Sequence, residues 1–182
     1  MAPRDRWIDE GFVVLREQGA TGLKVDSIAA RLGLTKGSFH HHFRGAGDYR
    51  RVLLARYEEQ AVDAIEQFLA AAVDLAPDRA VMSLADAPVL DNRLDAAIRS
   101  WAADDADALA VQQRVDQQRL AALIGLWERI LPDPQQARIA ALVPHLVVIG
   151  ASAAQPAPTE QEMRQVFELL AGMVPSIGDQ VG

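Results

Sequence analysis

The sequence predicts an all-helical fold, and three observations carry that prediction. Apolar residues recur at three- and four-residue spacings through most of the chain. No stretch alternates apolar and polar as a half-buried strand would, and no segment repeats another. The periodic runs are interrupted at Gly19, Gly33, Pro77, Pro88 and Pro134, where a helix ends or begins with little strain. With 182 residues, half of them apolar, the chain can bury a sizeable core in a two-part architecture. We place the boundary after residue 47: a three-helix head over 1–47, then a longer helical part over 48–182.

The first helix spans 4–18, with Trp7, Gly11, Val14 and Leu15 on one face and Arg6, Asp9, Glu10, Arg16 and Glu17 elsewhere. Gly19 ends it. Leu23 and Val25 tie the turn into the small core, and Asp26 sits in the first turn of the next helix, facing the positive end of the dipole. That second helix, 25–32, carries Ile28, Ala29 and Leu32 on one side. Ala29 has to be small, because helices crossing at roughly 90 to 120° bring their backbones close. Gly33 can take the left-handed conformation that stops a helix, and Leu34 fills the angle. Thr35 then caps a third helix, 36–42, whose apolar members are Phe39 and, just beyond, Phe43. This is a helix-turn-helix, and its second helix opens on Lys36, Gly37 and Ser38: a positive charge, a bare backbone and a hydroxyl. Those groups suit phosphate oxygens and base edges in a major groove. The expected head core is Trp7, Leu15, Leu23, Ile28, Leu32, Phe39 and Phe43.

The stretch 28–43, IAARLGLTKGSFHHHF, resembles the DNA-binding domain of the TetR family of bacterial repressors. That family's pattern here is close to threonine, lysine, glycine, small, apolar, tyrosine, any, histidine, phenylalanine. Thr35, Lys36, Gly37, Ser38, Phe39, His42 and Phe43 match it. His40 stands where the family has a tyrosine, usually a phosphate contact, and Ala46 where a lysine commonly opens the next helix. Lys24 occupies the usual serine or threonine cap of the second helix. The resemblance is specific over 7–57 and architectural beyond. It implies a dimeric, ligand-responsive repressor on a palindromic double-stranded operator, with Lys36, Gly37, Ser38 and His41 near bases and Lys24, Thr35, His40, His42 and Arg44 on the backbone. An imidazole at His40 meeting a phosphate would bind more tightly when protonated, so affinity would rise below about pH 7. A neutral histidine donating one hydrogen bond, as tyrosine does, would leave affinity flat across neutral pH.

From Asp48 a long helix, to about residue 72, carries an apolar stripe that includes Val52, Leu53, Tyr57, Ala61, Ile65, Phe68 and Leu69. It is the expected mechanical link, and the resemblance implies that it tilts when ligand binds. Leu75 to Pro88 is weakly patterned and is expected to be a loop holding one helical turn. Helices then follow at about 89–103, 105–115, 116–131, 134–154 and 159–174. The last two present matching apolar faces with small residues Gly150, Ala151, Ala153 and Ala154. The expectation is a homodimer through these two helices, as in the family's four-helix bundle. The resemblance also implies a pocket for an unidentified small-molecule effector, with Phe68, Met82, Trp101, Leu123, Trp127 and His145 as candidate wall residues. His145, next to Pro144, reads more readily as a satisfied core histidine than as a cavity residue.

Charge and composition narrow the function classes. Residues 1–57 carry 10 Lys and Arg against 6 Asp and Glu, a net +4, and residues 58–182 carry 8 against 19, a net −11, together the stated −7. A basic head on an acidic body is the footprint of a small nucleic-acid-binding module. There is no cysteine, so no disulfide framework and no thiolate chemistry is expected. His40, His41 and His42 project about 100° apart on a helix and cannot converge on one metal ion. Asp104, Asp105 and Asp107 read as an interhelical corner with a helix cap rather than a cation site. No Ser-His-Asp, metal-ligand or phosphate-loop spacing is present, so neither an enzyme nor a resident cofactor is expected. The amino end lacks an apolar signal core, and the apolar run 140–154 is short for a bilayer, so the expected location is the cytoplasm with no membrane partner. The rival function is a TetR-like dimeric module with weakened DNA binding that acts through protein partners.

Overall fold

A computed structural model describes residues 3–85 and 92–178. Among these the regular elements are all helical: α1 (Pro3–Gln18), α2 (Val25–Leu32), α3 (Lys36–His42), α4 (Ala46–Ala72), α5 (Pro77–Met82), α6 (Asn92–Ala102), α7 (Ala106–Glu128), α8 (Pro134–Ala153) and α9 (Glu160–Gly178), with two short 3-10 turns at Ala20–Gly22 and Ser83–Ala85. The chain forms two compact units, residues 1–60 with 93–114 and residues 61–92 with 115–182. Helices α4 and α7 contribute residues to both.

The first unit is built on aromatics. Trp7, Phe39 and Ile28 are fully buried, with Leu15, Leu23, Phe43, Tyr49 and Leu53 at most 4% exposed. Phe39 is the hub, its ring 5.3 Å from Trp7, 5.0 Å from Phe43 and 5.5 Å from Tyr49, mostly edge to face. Leu32, expected in this core, is only half-buried. The Tyr49 hydroxyl donates to the Trp7 carbonyl at 2.6 Å, joining α4 to α1, and its burial pushes the phenol well above the usual tyrosine range. Gly11 explains why the two helices can approach: a Cβ there would stand 2.3 Å from the Tyr49 hydroxyl and 2.8 Å from Leu53 Cδ2. Further along the unit, the buried Tyr57 hydroxyl donates to Asp95 at 2.5 Å. Arg99 Nε donates to the other oxygen of that carboxylate at 2.9 Å, so α4 and α6 share a satisfied polar contact inside the core.

The second unit is aliphatic and closely spaced. Ala72, Ala80, Ala137, Ala141 and Ala171 are at most 3% exposed and let helices pack among Phe68, Val81, Leu123, Leu126, Trp127 and Leu131. Met163 and Phe167 of α9 pack with Ala151 of α8 in a second cluster. Arg129 ties the α7 end to the α4 end by donating to the carbonyls of Ala72 and Leu75. By length and composition α8 could cross a membrane, being longer than the apolar run read from the sequence. Its inner side, however, is core, with Ala137, Ala141, Pro144, His145 and Ala151 buried.

Three of the boundaries that differ from expectation have a visible cause. Helix α4 starts at Ala46 rather than Asp48 because the Asp48 carboxylate reaches back to accept from the Arg44 backbone N–H at 3.0 Å, the behaviour of a first-turn acid. That contact, helped by Arg51, holds Asp48 below its ordinary range. The stretch read as two helices meeting at 115 and 116 is the single α7: Val115 is fully buried, and Asp116 pairs along the same helix with Arg119 instead of capping a new one. The expected loop from Leu75 holds α5, started by Pro77 in its first turn, followed by a 3-10 turn. Its expected end at Pro88 and the helix start at Val89 lie outside the described residues.

Candidate nucleic-acid interface and effector cavity

The turn between α2 and α3 follows from its residues. Gly33 has φ of 65° in the left-handed region, and its N–H returns to the carbonyls of Ala29 and Ala30. Thr35 is the N-cap of α3, its hydroxyl accepting from the Ser38 N–H at 3.3 Å. Lys24 caps α2 by backbone position alone, with no side-chain bond. With Phe39 and Phe43 turned inward, the opposite side of α3 is left outward. Lys24, Thr35, Lys36, Gly37, His40, His41 and Arg44 are exposed, and Ser38 and His42 half-exposed.

This outer face is polar and adjustable. Lys36 Nζ lies 3.0 Å from an Asp26 oxygen, an exposed pair worth little that an incoming phosphate can replace. A Cβ on Gly37 would meet only the Thr35 hydroxyl, at 3.6 Å. Nothing inside the head therefore demands glycine at that position; what glycine provides is bare backbone on the outside. His40 sets its ring edge against Phe39 at 5.4 Å, and His42 stands 6.3 Å from Phe43. Arg31 holds the back of α2 to α1 through Glu10 and Glu17, and its hydrogen bond to Glu17 keeps that carboxyl below its ordinary range.

The second unit contains a cavity of about 40 Å³ lined by Ile65, Phe68, Leu84, Arg119, Ala122, Leu123, His145 and Val148. Of the six wall candidates, Phe68, Leu123 and His145 are on its wall. Trp127 is buried in the adjoining core, and its indole N–H has no hydrogen-bond partner among the described residues. Met82 is 45% exposed. Trp101 belongs to the first unit, buried there and hydrogen-bonded to Asp105. Asp105 also caps α7, accepting from the Ala108 N–H at 3.0 Å, and this bond is the main reason its carboxyl is held below the usual range. Sequence reasoning missed Arg119. The available signal was a charged residue four positions before Leu123 and eight before Trp127, on one helical face with them.

Comparison with known proteins agrees with this geometry. Residues 8–45 match the model of the bacterial regulatory proteins of the tetR family. No curated protein matches the chain in sequence. Solved structures match along nearly its whole length. A transcriptional regulator from Rhodococcus sp. Rha1 superposes with a TM-score of 0.73 at 17% identity, covering 97% of both chains. Reduced NemR from E. coli does so with a TM-score of 0.70 at 15% identity, again covering 97% of both. A transcriptional regulator from Saccharomonospora viridis, solved in complex with choline, gives a TM-score of 0.65 at 16% identity and covers 94% of this chain and 95% of its own. At these identities the structural matches speak for the fold, while the head's sequence speaks for the family. Residues 8–45 thus carry the helix-turn-helix of the tetR family of bacterial regulatory proteins, and the chain as a whole has the all-helical fold of the solved transcriptional regulators it superposes on.

Proposed function

We propose that this chain is a cytoplasmic, homodimeric repressor that holds a palindromic operator and is released by a small molecule. Residues 1–47 are the reading head and 48–182 the effector-binding and dimerisation part. The observation that carries the reading is the outward side of α3, where Lys36, Gly37, Ser38 and His41 stand over a fixed aromatic core and Lys24, Thr35, His40, His42 and Arg44 flank them. Phosphate contacts would supply much of the affinity and make it fall with salt.

Dimerisation is supported by the outer sides of α8 and α9. Ile139, Val143 and Leu146 recur at four- and three-residue spacing and are 47–59% exposed, and Leu169 and Met173 are 72% and 57% exposed. Two such faces brought together about a two-fold axis would remove this apolar surface from water. Release by a small molecule is supported by the cavity in the second unit and by the choline held in the structurally similar regulator.

His40 in the tyrosine position and Ala46 in the lysine position favour a second reading: a dimeric module that grips DNA weakly and acts through protein partners. Fluorescence-anisotropy titration against a palindrome from the gene's own upstream region, over a salt series, separates the two. The repressor reading expects steep salt dependence and tighter binding than to scrambled duplex. It also expects Lys36→Ala to weaken binding and reduce the salt slope by about one. Weak binding indifferent to sequence, both here and in a genome-wide selection of bound fragments, would favour the second.

A further inference from the structure

We propose that the effector is a small, uncharged, apolar molecule, about the size of a single ring, held in the second unit's cavity by shape and not by polar contacts. The inference rests on the reading of that cavity as the effector site. Its walls come from α4, from the 3-10 turn that carries Leu84, and from α7 and α8. Among the described residues, the surface turned to the interior is carbon throughout. That holds even for the two polar residues on the wall. Arg119 and His145 are 8% and 7% exposed, and both hold interactions of their own, Arg119 with Asp116 at 3.9 Å. They lend the cavity only the carbon of their side chains.

Such a wall offers a guest neither donor nor acceptor. A charged or hydrogen-bonding group brought against it gives up its water and finds no replacement, so anions, cations and polar molecules are all disfavoured. An apolar guest gives up nothing of that kind. It leaves water and gains dispersion contacts with side chains that otherwise face empty space, since a purely apolar cavity stays dry. The resting volume of about 40 Å³ is well below the ~150 Å³ at which an apolar cavity is known to admit benzene. A ring therefore enters by moving wall side chains. Leu84, half-buried on a short 3-10 turn, is the wall residue with the least structure around it, and Phe68 on α4 is the bulkiest. Choice among apolar guests is then set by body size, while an added polar group is rejected because nothing in the wall satisfies it.

The test uses the full-length protein and measures binding by calorimetry and thermal shift. The probes are toluene, phenol, benzoate and benzylammonium, bodies of closely matched size that differ in polarity and charge. The expected result is that toluene binds about tenfold or more tighter than phenol, with both ions weaker still. Ala122→Trp, which fills the cavity, should abolish toluene binding. Should that variant fail to fold, cross-relaxation in NMR between toluene protons and the methyls of Leu123 and Val148 gives the location instead. Phenol or either ion binding as tightly as toluene, and at this place, would overturn the apolar class while leaving the cavity as the effector site. Toluene bound here without any change in DNA affinity would overturn the effector reading and leave an apolar site. Toluene bound away from the cavity, or no binding by any probe, would overturn the proposal outright.

Discussion

The two units are packed by different means. The first closes around large rings: Phe39 stands 5.0–5.5 Å from Trp7, Phe43 and Tyr49, Phe43 stands 4.9 Å from Tyr49, and a glycine lets α1 and α4 come close. The second is closed mainly by alanines and leucines, with Phe68, Trp127 and Phe167 among them. Apart from Leu109, the large apolar side chains left exposed among the described residues all lie in it. Edge-to-face rings fix orientation, so the first core can hold a short seven-residue helix at one angle. Aliphatic contacts are less directional and leave room for a cavity and for uncovered faces. The unit that presents a fixed surface has the rigid core, and the one proposed to take a ligand and a partner has the adaptable one.

The comparison can be broken most forcefully at its hub. Phe39→Ala removes the ring that the other aromatics share and should cost about 3–5 kcal/mol. Chemical denaturation should register the loss, with DNA binding lost in parallel. An ordinary melting curve in this variant would mean that the head does not depend on its rings. The opposite manipulation is to spoil the open faces: Leu146→Glu combined with Leu169→Glu should shift the protein to monomers in sedimentation equilibrium with little change in helical content. A dimer unaffected by both charges would place the interface elsewhere. Tyr49→Phe keeps the ring and deletes the bond to the Trp7 carbonyl, so a loss of about 1 kcal/mol is expected, separating ring packing from hydrogen bonding.

The smallest effect concerns acid. Glu58 is paired with Arg114 at 2.6 Å, and that hydrogen bond, outweighing the opposing effect of burial, holds its carboxyl below the ordinary value of 4.5. A depressed folded-state value means the contribution is present above that ordinary value and is lost as pH falls through the lower one. Because the pair is largely exposed, Glu58→Gln should remove about half a kcal/mol or less at neutral pH and flatten stability below pH 4.5. Melting temperatures against pH for the two proteins would reveal it.

Legibility followed the same division. The head could be read closely because its determinants are local: Gly33 for the left-handed turn, Thr35 for the cap, two phenylalanines four apart to turn one side inward. The cavity could not. Phe68, Leu123 and His145 were accessible as apolar-face residues, but so were Trp101 and Trp127, and periodicity assigns a residue to an inside without saying which inside. Trp101 lies in the other unit's core, and Arg119 looks in sequence like any solvent-facing arginine. The break expected between 115 and 116 is absent for a similar reason: the helix continues there because Val115 is buried against distant residues, which local spacing does not reveal.

What the sequence determined by itself was the all-helical fold, the helix-turn-helix and the outward identity of its polar residues, because hydrophobic period, capping and turn chemistry act over a few residues. What only the tertiary structure decided was which distant side chains meet. The Tyr49 hydroxyl on the Trp7 carbonyl, the Gly11 approach, the Tyr57–Asp95–Arg99 contact and the carbon of two polar side chains completing a hydrocarbon wall each join helices far apart in the chain. Such meetings depend on how whole helices pack, and no local spacing encodes that.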